Sequence, residues 1–342
     1  MSQMSSAPQG IRRRTRGQAT VDVDEFWRGQ TLPAMVRASA PGIDLSGWIK
    51  DNQGLVDGLL LGTGAVVFRG FEIRDAAGFH RAMDAMSSQV LAYGERSSPR
   101  SEVIPGVYTS TDHPQDQPII LHNEQSYTLN WPMRIAFYCD QEPTSGGRTP
   151  LADSRRVLAR LSPALVQKFA ELEVCYRRNY LPGIGLSWPE AFGTQSRDEV
   201  EKYCRGVDIS VEWVDENHLR TSQVRPAIRV HPRNGERTWF NHALFFNATS
   251  LPEDIGTELR RSLPEEDFPY QTFYGDGTSI EPETLDELRA AYAAETTAFD
   301  WRQGDVLAVE NMLVAHAREP FEGPRRILAS MTDPFASVKE QS

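Results

Sequence analysis

The chain has 342 residues, 39% hydrophobic and 24% charged, with a formal net charge of −11 at pH 7. That balance fits a water-soluble globular protein long enough to bury a sizeable core without disulfide or metal staples. It argues against a general nucleic-acid binder, which needs clustered Lys and Arg, and no apolar run approaches the ~18 residues of a membrane span.

Residues 1–20 carry a basic cluster at Arg12, Arg13, Arg14 and Arg16 and read as a disordered tail. A docking arm for an acidic partner is the sharper alternative. The tail lacks the apolar core of a secretory signal. Cys139, Cys175 and Cys204 are odd in number and lack CxxC spacing, as expected of free thiols in a reducing cytoplasm. Residues 21–342 read as a single domain.

Apolar residues at helical spacing predict a helix over 46–61 with Ser46 as N-cap, stopped by Gly62-Thr63-Gly64. Ala65-Val66-Val67-Phe68 follows as a buried strand. The glycines precede that strand instead of following it, which excludes a dinucleotide-binding fingerprint. A second helix runs from Asp75, its cap, to Met86. Residues 91–118 are irregular apart from a strand at Tyr108-Thr109-Ser110, and Met133 to Cys139 has the aromatic and β-branched texture of a sheet strand.

Residues 153–222 read as a helical insertion, with helices at 154–161, 163–172 and 197–205. Strand texture returns at Val224 to Val230, and an Asn234-Gly235 turn leads to Thr238-Trp239-Phe240, a hairpin signal. Helices follow at 252–263 and 282–296, then strands at 297–301, 306–309, 313–317 and 326–332. Short strands with helices outside and a helical insertion predict a jelly-roll β-sandwich.

The chemistry centres on His122-Asn123-Glu124. On an extended strand, residues two apart share a face, so an imidazole and a carboxylate would project together. They would supply two of the three ligands of a 2-His-1-carboxylate Fe(II) site. With 7 His and 47 Asp+Glu, about one such triplet is expected by chance. A distant second histidine, His316, follows an apolar strand and precedes the loop 319–324. Beyond the loop stand Arg325 and Arg326. Alternation puts these two on opposite faces and leaves open which one points inward. A 2-oxo acid on such an iron would leave one position for O₂. Its far carboxylate would need a planar cationic donor and a hydroxyl.

These residues and several longer motifs resemble the taurine/2,4-D dioxygenase superfamily (clavaminate synthase-like) of Fe(II)- and 2-oxoglutarate-dependent oxygenases. The motifs include Gly64-Ala65-Val66-Val67-Phe68-Arg69-Gly70-Phe71, Glu95-Arg96-Ser97-Ser98-Pro99-Arg100, Gly146-Gly147-Arg148-Thr149-Pro150-Leu151-Ala152-Asp153 and Asn311-Met312-Leu313-Val314-Ala315-His316. The likeness is strongest to the SyrP-like branch, whose members hydroxylate amino acids in nonribosomal peptide biosynthesis. The resemblance implies a double-stranded β-helix, a distorted jelly roll. It implies His122, Glu124 and His316 as iron ligands, with Thr149 and Arg326 on the far carboxylate of 2-oxoglutarate. It implies Fe(II) as cofactor, 2-oxoglutarate and O₂ as cosubstrates, and hydroxylation of an amino acid that is free or held by a carrier protein. Desaturation or epoxidation at the same iron is the alternative, and a non-catalytic binding protein is a third reading that the full ligand set opposes. Related halogenases carry Gly or Ala where Glu124 stands, so the carboxylate counts against halogenation.

Substrate candidates are Gln125 and Ser126 beside the ligands, Asn241 and His242, and Arg318, which pairs with Glu319 in the simpler reading. His242 reads equally well as a core histidine. His80, His113, His218 and His231 sit in polar or turn contexts and read as surface residues. Arg96 and Arg100 read as loop charges, or, on the resemblance, as residues flanking the mouth of the site.

Overall fold

The run Met133 to Cys139 is apolar on both faces. In the computed structural model it lies inside a strand, Asn130–Gln141, buried on both sides. The structure describes residues 21–24, 32–87, 100–111 and 113–336. The strand sits near the middle of an eight-stranded sheet. The order is Val21–Asp24, Ala34–Ala38, Ala65–Arg69, Val306–Glu310, Asn130–Gln141, Arg326–Ala336, Val107–Thr109 and Glu102–Ile104. Neighbours are antiparallel except Ala34–Ala38 with Ala65–Arg69, which are parallel.

Alternation then sorts the side chains. Ala136, Tyr138, Val66, Phe68 and Ala308 face outward into one cluster, where Ile49, Leu60, Phe79 and Met83 from three helices cover them. Phe79 stacks on Tyr138 with ring centroids 5.5 Å apart. Burying a side chain of that size contributes about 1.5–3 kcal/mol. Ile135, Phe137, Leu307 and Val309 face inward, against Leu151, Leu313 and Val314. The latter belong to or adjoin a second sheet of three strands, Ile119–His122, Val314–Arg318 and Leu151–Asp153. Two facing sheets with helices outside make the expected jelly roll.

Local departures have local causes. The helix expected over 46–61 is two helices, Leu45–Asp51 and Gln53–Thr63. Asn52 breaks it, its side-chain amide donating to Trp48 O at 2.8 Å, the competition with the backbone that makes Asn a poor interior residue. The cap is Asp44, not Ser46. Asp44 accepts from Gly47 N–H at 2.7 Å and from the Ser46 hydroxyl at 2.6 Å. Asp75 does cap the helix Ala76–Met86.

The segment 153–222 holds the expected helices Ser154–Arg160, Pro163–Leu172 and Arg197–Gly206. It also holds strands Val174–Tyr180, Ser210–Trp213 and most of Leu219–Arg225, which join Tyr270–Tyr274 in a separate four-stranded sheet. Arg177-Arg178-Asn179 hide the first of these strands from an apolar pattern. Arg178 is nonetheless buried, its guanidinium 4.8 Å from the Tyr180 ring centre and 5.3 Å from that of Tyr270. The stretch 297–301 makes only one bridge, Thr297 to Leu151, and spends Phe299 and Trp301 on the core. The basic cluster at Arg12 to Arg16, and Arg96, lie outside the described residues. Among the described residues no helix is long and apolar enough to cross a membrane, and the three cysteines are free and buried.

One buried ion pair ties two central strands of the large sheet. Arg69 Nε and Nη2 donate to the two oxygens of Asp305 at 2.9 and 2.6 Å. Asp305→Ala would strand the guanidinium, and the expected loss is about 3–5 kcal/mol by urea unfolding. Adding Arg69→Met should restore part of it. If Asp305→Ala leaves the unfolding free energy unchanged, the pair does not stabilise the sheet.

Candidate metal centre

His122 closes the strand Ile119–His122 and pairs in antiparallel register with His316. Their rings lie 4.4 Å apart. Glu124 lies past the strand end, in a turn where Gln125 adopts φ 54°. Strand alternation therefore does not place the carboxylate. Asn311 does. Its Oδ1 accepts from Glu124 N–H at 2.8 Å, and its Nδ2 donates to Glu124 O at 2.9 Å and Pro132 O at 2.8 Å. Asn123 returns the contact, donating to Asn311 O at 2.6 Å. The preceding residue, Glu310, is fully buried and held by His231 at 3.1 Å and Arg134 at 3.4 Å.

One donor atom each from His122, Glu124 and His316 lies within 4.8 Å of the other two, and no other such group occurs among the described residues. Ile120 O sits 2.9 Å from His122 Nδ1. A carbonyl only accepts, so Nδ1 carries the proton and Nε2 keeps its lone pair for a metal. Burial pushes the His122 imidazole down from its ordinary 6.5, against the pull of Glu124. Burial also drives His316 and His242 well down, reinforced by the neighbouring His122. All three are neutral at neutral pH. His316 Nδ1 is buried and has no hydrogen-bond partner among the described residues. Two neutral imidazoles and one carboxylate are the donor set of a non-heme Fe(II) site, so the residues fit that ion.

The triad lines a cavity of about 550 Å³. At one end Thr149 is buried, and its Oγ1 accepts from Trp301 Nε1 at 3.1 Å. That contact leaves the threonine proton to be donated into the cavity. Arg325 lines the same wall. Its Nε donates to Gly147 O at 3.0 Å, leaving both terminal nitrogens without a hydrogen-bond partner among the described residues. Burial, aided by the nearby Arg318, pushes its guanidinium down to about 10. Gly147, at φ 65°, leaves no room for a Cβ, which would meet Phe321 Cβ at 2.9 Å and Arg325 Cδ at 3.0 Å.

Arg326, expected in this role, points the other way. It is half exposed and donates to Asp140 at 2.9 Å. The register shifts between Arg326 and Ile327. Ile327, Ala329 and Met331 face the inner cluster and Leu328 the outer one, so plain alternation puts Arg325 on the inner side and Arg326 on the outer.

The other candidates divide. His242 lines the cavity, its Nδ1 2.6 Å from Ser126 Oγ and its ring 5.8 Å from that of His122. Asn241 and Gln125 are buried outside the lining. The Asn241 side chain is committed to Ala227 O and Ala243 N–H. Arg318 reaches the lining but spends its terminal nitrogens on His113 O, Pro114 O and Gln117 O, so it anchors that loop. Glu319 pairs with Arg148 instead. His231 and His218 are buried, not on the surface, held by Glu310 and Asn179. His113 is exposed at the cavity rim. Arg100, read as a loop charge, donates to Glu124 Oε2 at 2.7 Å. Trp301 carries no motif signal, and Asn311, the first residue of one quoted motif, shows its role only in the packing.

A sequence model of the taurine catabolism dioxygenase TauD, TfdA family matches residues 29–332. The dapdiamide synthesis protein DdaC of Enterobacter agglomerans is 39% identical over 287 residues, covering 84% of this chain and 87% of that protein. A clavaminate synthase-like protein of Arabidopsis thaliana is 30% identical over 293 residues, covering 83% and 86%. Among solved structures, PvcB of Pseudomonas aeruginosa superposes with a TM-score of 0.56 at 16% identity, covering 96% of this chain and 98% of that one, a likeness of fold.

Asn311→Ala should loosen the Glu124 turn. The expected result is Co(II) binding weakened about tenfold to a hundredfold, the range for lost outer-shell support, read by absorption titration. An unchanged dissociation constant would show that the turn holds itself.

Proposed function

The chain belongs to the TauD, TfdA family of Fe(II)- and 2-oxoglutarate-dependent dioxygenases, and on that premise we propose that it hydroxylates an unactivated C–H bond of an amino acid in specialised-metabolite biosynthesis. The amino acid is free or tethered to a carrier protein, as in the SyrP-like branch. The observation that carries the reading is the metal triad beside a prepared anion site, Thr149 with Arg325, in one cavity. The name of the relative DdaC, a dapdiamide synthesis protein, supports the biosynthetic setting.

His122, Glu124 and His316 would hold the ion. Fe(II), when bound, couples the oxidative decarboxylation of 2-oxoglutarate to succinate and CO₂ with reduction of O₂ to an oxidant able to attack C–H bonds. Arg325 grips the far carboxylate through its two terminal nitrogens, a bidentate geometry that an ammonium could not match. Thr149 donates a third hydrogen bond. Leu186, Phe245, Phe246, Leu251, Ile255 and Tyr270 form the apolar part of the lining. They receive the substrate's hydrocarbon and keep bulk water from the reacting carbon. His242, fixed by Ser126, offers one polar contact on that side.

Two outcomes test the site. Succinate release from 2-oxoglutarate with Fe(II) and O₂ should disappear in His122→Ala. Arg325→Ala should raise the KM for 2-oxoglutarate about tenfold to a hundredfold, as expected for losing a charge-assisted pair of about 1.5–3 kcal/mol, while Arg326→Ala should leave it within about twofold. The reverse ranking would return the anion site to Arg326. For the substrate, free and carrier-loaded amino acids are offered and the products weighed. Hydroxylation adds one oxygen. Loss of two hydrogens, or oxygen gained only on an alkene, would replace hydroxylation by desaturation or epoxidation.

A further inference from the structure

The triad does not explain Arg100. Its Nη2 donates to Glu124 Oε2 at 2.7 Å, with the two side chains 7% and 3% exposed. The pair is therefore buried, and it joins a cavity-lining cation directly to a metal ligand. A carboxylate can bind a metal through one oxygen or both. Glutamate has one more rotatable bond than aspartate, so its head can swing between those modes. On an octahedral ion, two imidazoles and the two oxygens of a 2-oxo acid leave two positions. A one-oxygen carboxylate fills one and leaves the other for O₂. A two-oxygen carboxylate fills both.

Resting on the Fe(II)/2-oxoglutarate reading, we propose that Arg100 is a positioning residue that holds Oε2 of Glu124 away from the metal, keeping Glu124 a one-oxygen ligand and the O₂ position free. The two ends of Glu124 are then fixed by different means. Asn311 pins its peptide, and Arg100 pins its head. Arg100 has the right chemistry for this. A guanidinium stays charged at any working pH and binds no metal, so it occupies an oxygen without competing for the ion. Its charge also draws electron density toward Oε2 and makes the second oxygen a poorer donor.

Nitric oxide, a stand-in for O₂ that does not turn over, reads the free position directly. Wild type, Arg100→Gln and Arg100→Lys are loaded anaerobically with Fe(II) and 2-oxoglutarate and titrated with nitric oxide by electron paramagnetic resonance. In Arg100→Gln the affinity for nitric oxide should fall about tenfold, the scale of outer-shell effects, with 2-oxoglutarate affinity unchanged. The KM for O₂ in substrate-free succinate release should rise in parallel. Arg100→Lys, which keeps the charge and one hydrogen bond, should recover part of both. Unchanged nitric oxide affinity in Arg100→Gln would overturn the proposal. So would a loss confined to 2-oxoglutarate affinity, which would make Arg100 a cosubstrate ligand. A wild-type protein that binds neither Fe(II) nor 2-oxoglutarate would overturn the underlying reading, a result distinct from either of these.

Discussion

The side-chain amide of Asn311 takes the place of a β-ladder for the metal-binding turn. Glu124 lies just beyond the strand that carries His122, so its buried N–H and C=O have no neighbouring strand to pair with. Leaving such groups unpaired costs as much as losing a hydrogen bond each. Asn311 satisfies both from one carboxamide, and Asn123 bonds back to the Asn311 backbone. Asn311 also adjoins the strand that bears His316. A single side chain thus joins the two parts of the polypeptide that must meet around one ion. Behind it, the buried Glu310 is fixed by His231 and Arg134, so the anchor is itself anchored. A satisfied buried polar network of this kind rigidifies a site in a way that apolar packing cannot.

Much of this was legible in the sequence, for identifiable reasons. The jelly roll follows from short apolar strands separated by turns, and the triad follows from the resemblance once His316 joins His122 and Glu124. Which of the two neighbouring arginines faces the cavity was not legible. The resemblance pointed to Arg326, but Arg325 shares the inner face with Ile327, Ala329 and Met331 and lines the cavity, while Arg326 bonds Asp140. A pattern of period two separates the two arginines but does not say which face turns inward. The strand Val174–Tyr180 was hidden because its buried Arg178 sits among aromatic rings, an environment that composition does not reveal. His231 and His218 looked like surface residues because their partners lie far away in the chain, at Glu310 and Asn179.

The three arginines of the cavity lining show how one residue type divides into separate tasks. Arg318 spends its terminal nitrogens on the carbonyls of residues 113, 114 and 117, and shapes the wall. Arg100 is joined to Glu124. Arg325 bonds only through Nε, to Gly147 O, among the described residues. Phe321 lies near two of them, its ring centre 5.4 Å from the guanidinium carbon of Arg318 and 5.4 Å from that of Arg325. An aromatic ring face attracts such cations. Gly147 supplies the carbonyl that orients Arg325 and, lacking a Cβ, the space in which it lies.

Burial makes that arrangement costly. Burial and the neighbouring Arg318 push the Arg325 guanidinium down to about 10, which still leaves it charged at neutral pH, in a place where charge is poorly solvated. The rings of two buried neutral imidazoles lie 4.4 Å apart, and His316 Nδ1 lacks a partner among the described residues. The surrounding fold therefore has to hold these groups where they would not settle by themselves. Fixed donors and charges converging on one cavity are what preorganised sites look like. Binding then stabilises the folded chain by mass action. Asn311, Trp301, Phe321 and Gly147 hold the side chains that converge on the cavity, through contacts to Glu124, Thr149 and Arg325.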